Sequence, residues 1–331
     1  MKKIIEESGF RGCASVRENG VHLMQLATGY AEYRHHVRNT METRFATASA
    51  GKVFVAVGIL QLIERGLLSF EDTISRIDID WKQIDTGITV RELLTHTSGI
   101  PDYFDESVMD EYDELWVDFP NYKIRKSSDL LPLFIDKPMM YPRGERFQYN
   151  NTGFVVLGMM IEAVTGQLFD EYLQENVFLP AGMHCTGYYE MDRLPENCAD
   201  SYIWDEKRQM FYTNIYSVDV KGTGAGGAFT TAGDVEHFWN ALLSYKLLSK
   251  EMTEQMLSVQ AKNKDEDSYG LGIWMKPEEN GYIPYFTGSD PGVSFISLFD
   301  RERMLNVTLL SNYGDNVWAL SRNILEKADA E

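Results

Sequence analysis

The spacing of apolar positions changes period along the chain. The first fifty residues read as a short helix followed by extended segments. Cys13-Ala14-Ser15-Val16-Arg17 and Val21-His22-Leu23-Met24-Gln25 flank Glu18-Asn19-Gly20, whose glycine suits a hairpin turn. Positions 41–48 continue as extended chain into Ser49. From there to about Arg65 a helix is predicted, with Val53, Val55, Ala56, Ile59, Leu60, Leu62 and Ile63 apolar on most sides. A helix of that kind is buried, and Gly66 stands where a left-handed end residue is needed. Between about 70 and 215 the pattern is helix and loop, with helices over 90–94, 152–164 and 169–178, the last ended near Pro180. A glycine-rich loop after 215 leads into a helix over 234–243. The period then shortens to two, giving strands over 270–276, 282–286, 293–299 and 304–310 before a closing helix over 317–327.

Strands at both ends with helices between predict an α/β (α+β) fold. Its antiparallel sheet is built from both chain ends and flanked by helices, and the middle region is mainly helical. A length of 331 residues alone would suggest about two units at roughly 150 residues each. Candidate chemistry falls near positions 49, 149 and 286, so a division into independent halves would split it. The expectation is one composite unit, with 1–65 and 216–331 forming the α/β part and 66–215 a mainly helical insertion.

Composition excludes several classes. With 44% hydrophobic and 12% aromatic residues the chain has ample material for a core. Three cysteines, at 13, 185 and 198, make no disulfide framework and read as buried thiols. A formal net charge of −19 without a basic run excludes phosphate-backbone binding, so no nucleic-acid partner is expected. Met1-Lys2-Lys3 is followed at once by Glu6-Glu7, with no apolar stretch of signal-peptide length, and 53–62 is too short to span a bilayer. The expectation is a cytoplasmic protein without a membrane span, a monomer, acting on a small molecule or peptide.

Ser49-Ala50-Gly51-Lys52 is the first segment with candidate chemistry. Three residues apart on a helix, the two side chains share a face. The hydroxyl meets the positive helix end, and the apolar run after Lys52 destabilises its ammonium, so that the amine could take the Ser49 proton. With 20 Ser and 15 Lys, chance supplies about one such pair, and a plain N-cap reading fits Ser49 equally well. What distinguishes the pair is its place at the head of a buried helix. Tyr149-Asn150-Asn151 offers a phenol able to shuttle a proton if a nearby lysine lowers its pKa, and an amide able to orient a substrate or Lys52. Phe286-Thr287-Gly288-Ser289 ends a predicted strand, where a substrate backbone could approach. There the N–H of Ser289, with that of Ser49, could hold an oxyanion; the plainer reading is a turn before Asp290-Pro291-Gly292.

In this order the three segments resemble the serine β-lactamase and penicillin-recognising hydrolase family, in its class C, DD-peptidase and family VIII esterase-like branch. Further matches are Glu92-Leu93-Leu94-Thr95-His96-Thr97-Ser98-Gly99, Tyr141-Pro142-Arg143-Gly144 and Gly226-Gly227-Ala228-Phe229-Thr230-Thr231-Ala232-Gly233-Asp234. The resemblance runs from about Gly29 to Ser311. It implies Ser49 as acylated nucleophile, Lys52 as proton acceptor and Tyr149 as relay to the leaving group. Asn151 with Phe286, Thr287, Gly288 and Ser289 would form the substrate-binding side. It also implies hydrolysis of amides or esters through an acyl-enzyme, with no cofactor and no metal. The alternative is a penicillin-binding-like protein that acylates and turns over poorly or not at all.

One departure stands out. The family's third motif usually opens with Lys or His, and here the residue is Phe286, with Asp290 close behind. A cation would attract a substrate carboxylate, and a phenyl ring cannot. The substrate is therefore expected to lack a free carboxylate: an ester, an amide or an amine-bearing D-peptide.

Other signals carry less. Gly222-Thr223-Gly224-Ala225-Gly226-Gly227 fits a dinucleotide fingerprint in letters but lacks a following βαβ unit, so it reads as a cleft wall. Among the histidines, His35-His36 would point to opposite strand faces, and His96 reads as a loop brace. The acidic run Asp265-Glu266-Asp267 lacks alternating calcium-loop spacing and reads as a solvated turn.

Overall fold

The computed structural model describes residues 1–263 and 267–330. Asp265 and Glu266 of the acidic run lie outside the described residues; Asp267 accepts a hydrogen bond of 2.6 Å from the Tyr285 hydroxyl.

Seven strands form the main sheet: β1 (Gly12–Glu18), β2 (Val21–Thr28), β3 (Ser268–Tyr269), β4 (Trp274–Glu278), β5 (Gly281–Asp290), β6 (Val293–Asp300) and β7 (Leu305–Ser311). Their order is β2-β1-β7-β6-β5-β4-β3, with antiparallel neighbours throughout. The N-terminal hairpin is thus welded to the C-terminal meander by β1 and β7, in register from Gly12 opposite Ser311 to Glu18 opposite Leu305. The sheet drawn from both chain ends is the one predicted.

Five helices cover this sheet or position the site: α1 (Lys2–Ser8), α2 (Lys52–Glu64), α3 (Asn151–Thr165), α4 (Ala232–Leu243) and α5 (Val317–Ala330). Ile5, Val317 and Ile324 cover one face of the sheet, packing with Val16, Leu298, Val307 and Leu309. The other face meets the larger core, where Phe286, Phe295 and Leu310 join the apolar sides of α2, α3 and α4. Both faces are covered, so every residue of β7 is buried. Leu305, Val307 and Leu309 face one core while Asn306 and Thr308 alternate with them, so the period of two survives although both sets are buried. Polar groups inside this layer are paired. Trp239 Nε1 donates to Ser297 Oγ at 2.9 Å, and Ser297 and Thr308 share a hydroxyl bond of 2.8 Å.

Several elements differ from expectation. The helix predicted from Ser49 begins instead as a 3₁₀ turn, Ala48–Gly51, and becomes α-helical at Lys52. The helix predicted over 169–178 is α-helical only over Phe169–Leu173. It then widens into a π turn, Gln174–Phe178, just ahead of Pro180, which has no N–H to continue the ladder. Between 66 and 150 the only α-helix among the described residues is Val90–Leu94. A second hairpin, Tyr202–Asp205 with Met210–Thr213, went unpredicted. The strand expected over 282–286 runs on to Asp290, so Thr287-Gly288-Ser289 is strand, not turn. Among the described residues no single helix is long and apolar enough to cross a membrane.

Leu309 is fully buried, whereas Val21 on the outer strand is 64% exposed. Leu309→Ala is expected to cost about 2–5 kcal/mol and Val21→Ala within about 0.5 kcal/mol, read as urea-unfolding midpoints.

Candidate active site

Ser49 stands on the 3₁₀ turn between the sheet and α2. The residue before it, Ala48, has φ of 47°, a left-handed backbone that costs a non-glycine residue energy and is kept only where neighbours impose it. Here they do. Gly227 N donates to Ala48 O at 3.0 Å, and Thr47 N to Ala228 O at 2.8 Å. Two glycines permit the approach: a β-carbon at Gly226 would lie 2.2 Å from Ala48 O, and one at Gly288 would lie 2.7 Å from Ser49 N. The segment 222–227 is therefore a wall of the cleft, shaped by close backbone contact.

Lys52 opens α2 and is buried. Its Nζ is 2.9 Å from Ser49 Oγ, 2.8 Å from Asn151 Oδ1 and 2.6 Å from Ala225 O, an acceptor for each ammonium proton. Burial lowers its pKa to about 8, against the upward pull of Glu106, Asp102 and Asp290. The direction is the one the apolar run predicted.

Asn151 is the first residue of α3. Its backbone N–H and that of Thr152 donate to the Asp102 carboxylate at 2.8 and 2.9 Å, while Asn150 Oδ1 accepts from Gly153 N at 2.8 Å. Two side chains thus hold the helix start. Burial raises the Asp102 pKa to about 6, opposed by the donors from Asn151 and Thr152. The Asn151 Nδ2 group donates to Phe104 O at 3.1 Å, which ties the amide to the loop crossing the cleft.

Tyr149 precedes this helix, with its ring 5.0 Å from Lys52 Nζ, 4.5 Å from the His96 ring and stacked on Trp274 at 5.9 Å. Burial pushes its pKa well up, with Glu106 adding to the rise and a hydrogen bond to Ser49 opposing it. The sequence-based expectation of a phenol acidified by lysine is reversed: Tyr149 is a neutral phenol, equipped to donate. His96 braces it. Burial holds the imidazole neutral, and Nδ1 accepts from Asn150 N at 3.1 Å.

Phe286 points into the core, where its ring meets Phe54, Phe238, Trp239 and Phe295. It also walls a narrow gap shared with Ser49, Lys52 and Tyr149. Thr287 is fully engaged: its hydroxyl donates to Phe295 O and accepts from Trp318 Nε1, both at 2.7 Å. Gly288 and Ser289 line the open side of the cleft.

Two spaces meet at Ser49. A recess is lined by Asn151, Tyr112, Glu106, Asp219 and Asp290, and a larger open groove runs past Tyr149. The carboxylates are the functional candidates that sequence reasoning missed, Asp290 excepted. Burial raises Asp290 to about 8, with repulsion from Asp219 and Glu106 adding to it and Lys52 opposing it. Burial likewise raises Asp219 to about 7, although the Tyr112 hydroxyl donates to it at 3.0 Å. Glu106 and Asp219 come from irregular loops, where no periodicity marks them.

A serine hydroxyl against a buried lysine, with tyrosine and asparagine from a neighbouring helix start, is the arrangement of a serine acyl hydrolase, and the sheet with its flanking helices is the matching fold. The Beta-lactamase family model matches residues 1–330, and the chain belongs to that family. It is similar to a penicillin-binding protein of Bacillus halodurans of known structure, with 38% identity over 98% of this chain and 99% of that one, and a TM-score of 0.94. Penicillin-binding protein 4* of Bacillus subtilis (strain 168) is 28% identical over 93% of this chain and 69% of its own length. Teichoic acid D-alanine hydrolase of Staphylococcus aureus is 25% identical over 95% and 73% respectively.

With its pKa lowered to about 8, the Lys52 amine is increasingly unprotonated as pH rises through that value. Covalent labelling of Ser49 by a fluorophosphonate is therefore expected to speed up with rising pH through a limb near 8. Lys52→Arg, charged throughout, should label at least about 100-fold more slowly, checked by intact-mass time courses.

Proposed function

We propose that this chain hydrolyses esters or amides of D-amino acids that carry a free ammonium group, through an acyl-enzyme on Ser49. Lys52 as free amine takes the Ser49 proton while Oγ attacks the substrate carbonyl. The N–H groups of Ser49 and Ser289 face the oxygen that becomes negative. As the tetrahedral adduct collapses, Tyr149 gives its proton to the leaving oxygen or nitrogen and recovers one from Lys52. Water then cleaves the ester on Ser49, releasing the acid and restoring the hydroxyl.

The observation that carries the substrate class is the charge of the recess. Glu106, Asp219 and Asp290 line it, and among the described residues no Lys or Arg does. Burial raises the pKa of Asp219 and Asp290, and an ammonium entering beside them would pull both back down. Thr287 has no spare donor for a carboxylate, and Phe286 has none at all. The D configuration follows the name of the Staphylococcus aureus relative.

With D-alanine methyl ester and its N-acetyl analogue as paired substrates, the free amine is expected to be preferred. Asp290→Asn should raise its KM about tenfold or more, the worth of a charge-assisted hydrogen bond, while leaving the N-acetyl ester unmoved. Intact mass should show an adduct that decays in the wild type and never forms in Ser49→Ala. Equal turnover of the two esters would overturn the ammonium reading, and a permanent adduct would favour a binding protein over an enzyme.

A further inference from the structure

The two spaces at Ser49 share Glu106, Tyr112 and Asp290, and the position of Tyr149 tells them apart. Tyr149 lines the groove and not the recess. In the proposed mechanism the atom that receives the tyrosine proton lies against this hydroxyl, so the departing half of the substrate occupies the groove and the acyl half the recess.

Aromatic side chains line much of the groove. Trp274 lies parallel to Tyr149, at 14°, and Phe147 meets Trp274 edge-on at 6.0 Å. Trp318 reaches in from the C-terminal helix, its indole fixed by the 2.7 Å bond to Thr287. Each of the three is partly exposed. Trp274 is backed by Tyr285, stacked on it at 6.2 Å, so the surface is held by packing before any ligand arrives. Glu106, Asp110, Glu111 and Asp290 also line the groove, and among its described lining residues there is no Lys or Arg. The rings favour a flat partner that presents a C–H or π face. Carboxylates along the path disfavour phosphate, sulfate and carboxylate.

We propose that Phe147, Trp274 and Trp318 form a leaving-group subsite for an uncharged ring, and that the carboxylates lining the groove exclude anionic leaving groups. A sugar and an aryl group share the flat apolar face that this surface recognises. The proposal rests on the hydrolase reading of Ser49 and Tyr149, but not on the identity of the acyl group.

The test keeps the acyl group constant and varies the alcohol. Esters of glycerol, glycerol 3-phosphate, benzyl alcohol and the 6-hydroxyl of methyl glucoside are compared by kcat/KM, once with D-alanyl and once with acetyl as the acyl group. A ring-bearing ester is expected to exceed the glycerol ester by about tenfold, the scale of one good ring contact. The phosphate ester should fall below the glycerol ester and recover part of the gap in high salt. Trp318→Ala should bring the ring-to-glycerol ratio close to one, with Phe147→Leu as a second variant that leaves the Thr287 bond alone. The benzyl and glucoside arms decide whether an aryl group or a sugar is preferred. Equal kcat/KM across the alcohols, or a ratio unmoved in both variants, overturns the subsite. Ring preference in the acetyl series alone retains the subsite and overturns the ammonium reading. No turnover of any ester overturns both.

Discussion

The buried ammonium of Lys52 is the constraint on which the surrounding structure depends. A charge taken out of water must find an acceptor for every proton. Here the three acceptors come from three places: the turn before α2, the first residue of α3 and the backbone of the glycine loop. One side chain therefore sets how these pieces approach one another. The tight contacts at Gly226 and Gly288 result, because the loop and β5 must come close to the Ser49 turn, and a β-carbon would collide with its backbone. The desolvation that demands these acceptors also lowers the lysine pKa to about 8, so structural requirement and chemical readiness have a single cause.

Phe286 shows what happens when a second cation is withdrawn from such a site. Its ring completes an aromatic cluster with Phe54, Phe238, Trp239 and Phe295, in which a lysine would have no acceptor. The apolar packing that stabilises this end of β5 leaves Lys52 as the cation facing Glu106 and Asp290. Each side answers the other: the carboxylates pull the lysine pKa up and the lysine pulls that of Asp290 down, while burial drives both groups toward neutrality. A positive charge brought beside these carboxylates would oppose the effect of burial on them.

Much of this was legible in the chain because it rests on local or periodic signals. Apolar positions all round α2 announced a buried helix, and Gly66 (φ 70°) marked its end. The turn glycine and period-two runs announced the hairpin and the C-terminal strands. What escaped depends on partners distant in sequence. The 3₁₀ start at Ser49 is imposed by bonds from residues 227 and 228 across the chain. The direction of the Tyr149 shift could not be read from its neighbours in sequence, since burial, with His96 and Trp274 packed on the ring, decides it. Asp102 and Asp219 sit in irregular loops, where a carboxylate looks like solvated surface until the fold closes over it.

The acidity of the chain has a different meaning at two scales. A net charge of −19 describes the whole surface, and at physiological salt its distant members are screened over about 8 Å. That excess keeps polyanions from the molecule in general but discriminates poorly between two small substrates. The proposed discrimination falls instead to the carboxylates that line the recess and groove, which a bound substrate meets within a few ångströms. The same net charge spread over the outer strands would leave the cleft indifferent to the sign of its substrate. Placement, set by the loops that carry Glu106 and Asp219 and by the unbroken run of β5 to Asp290, is what the proposed preference draws on, rather than the acidic composition alone.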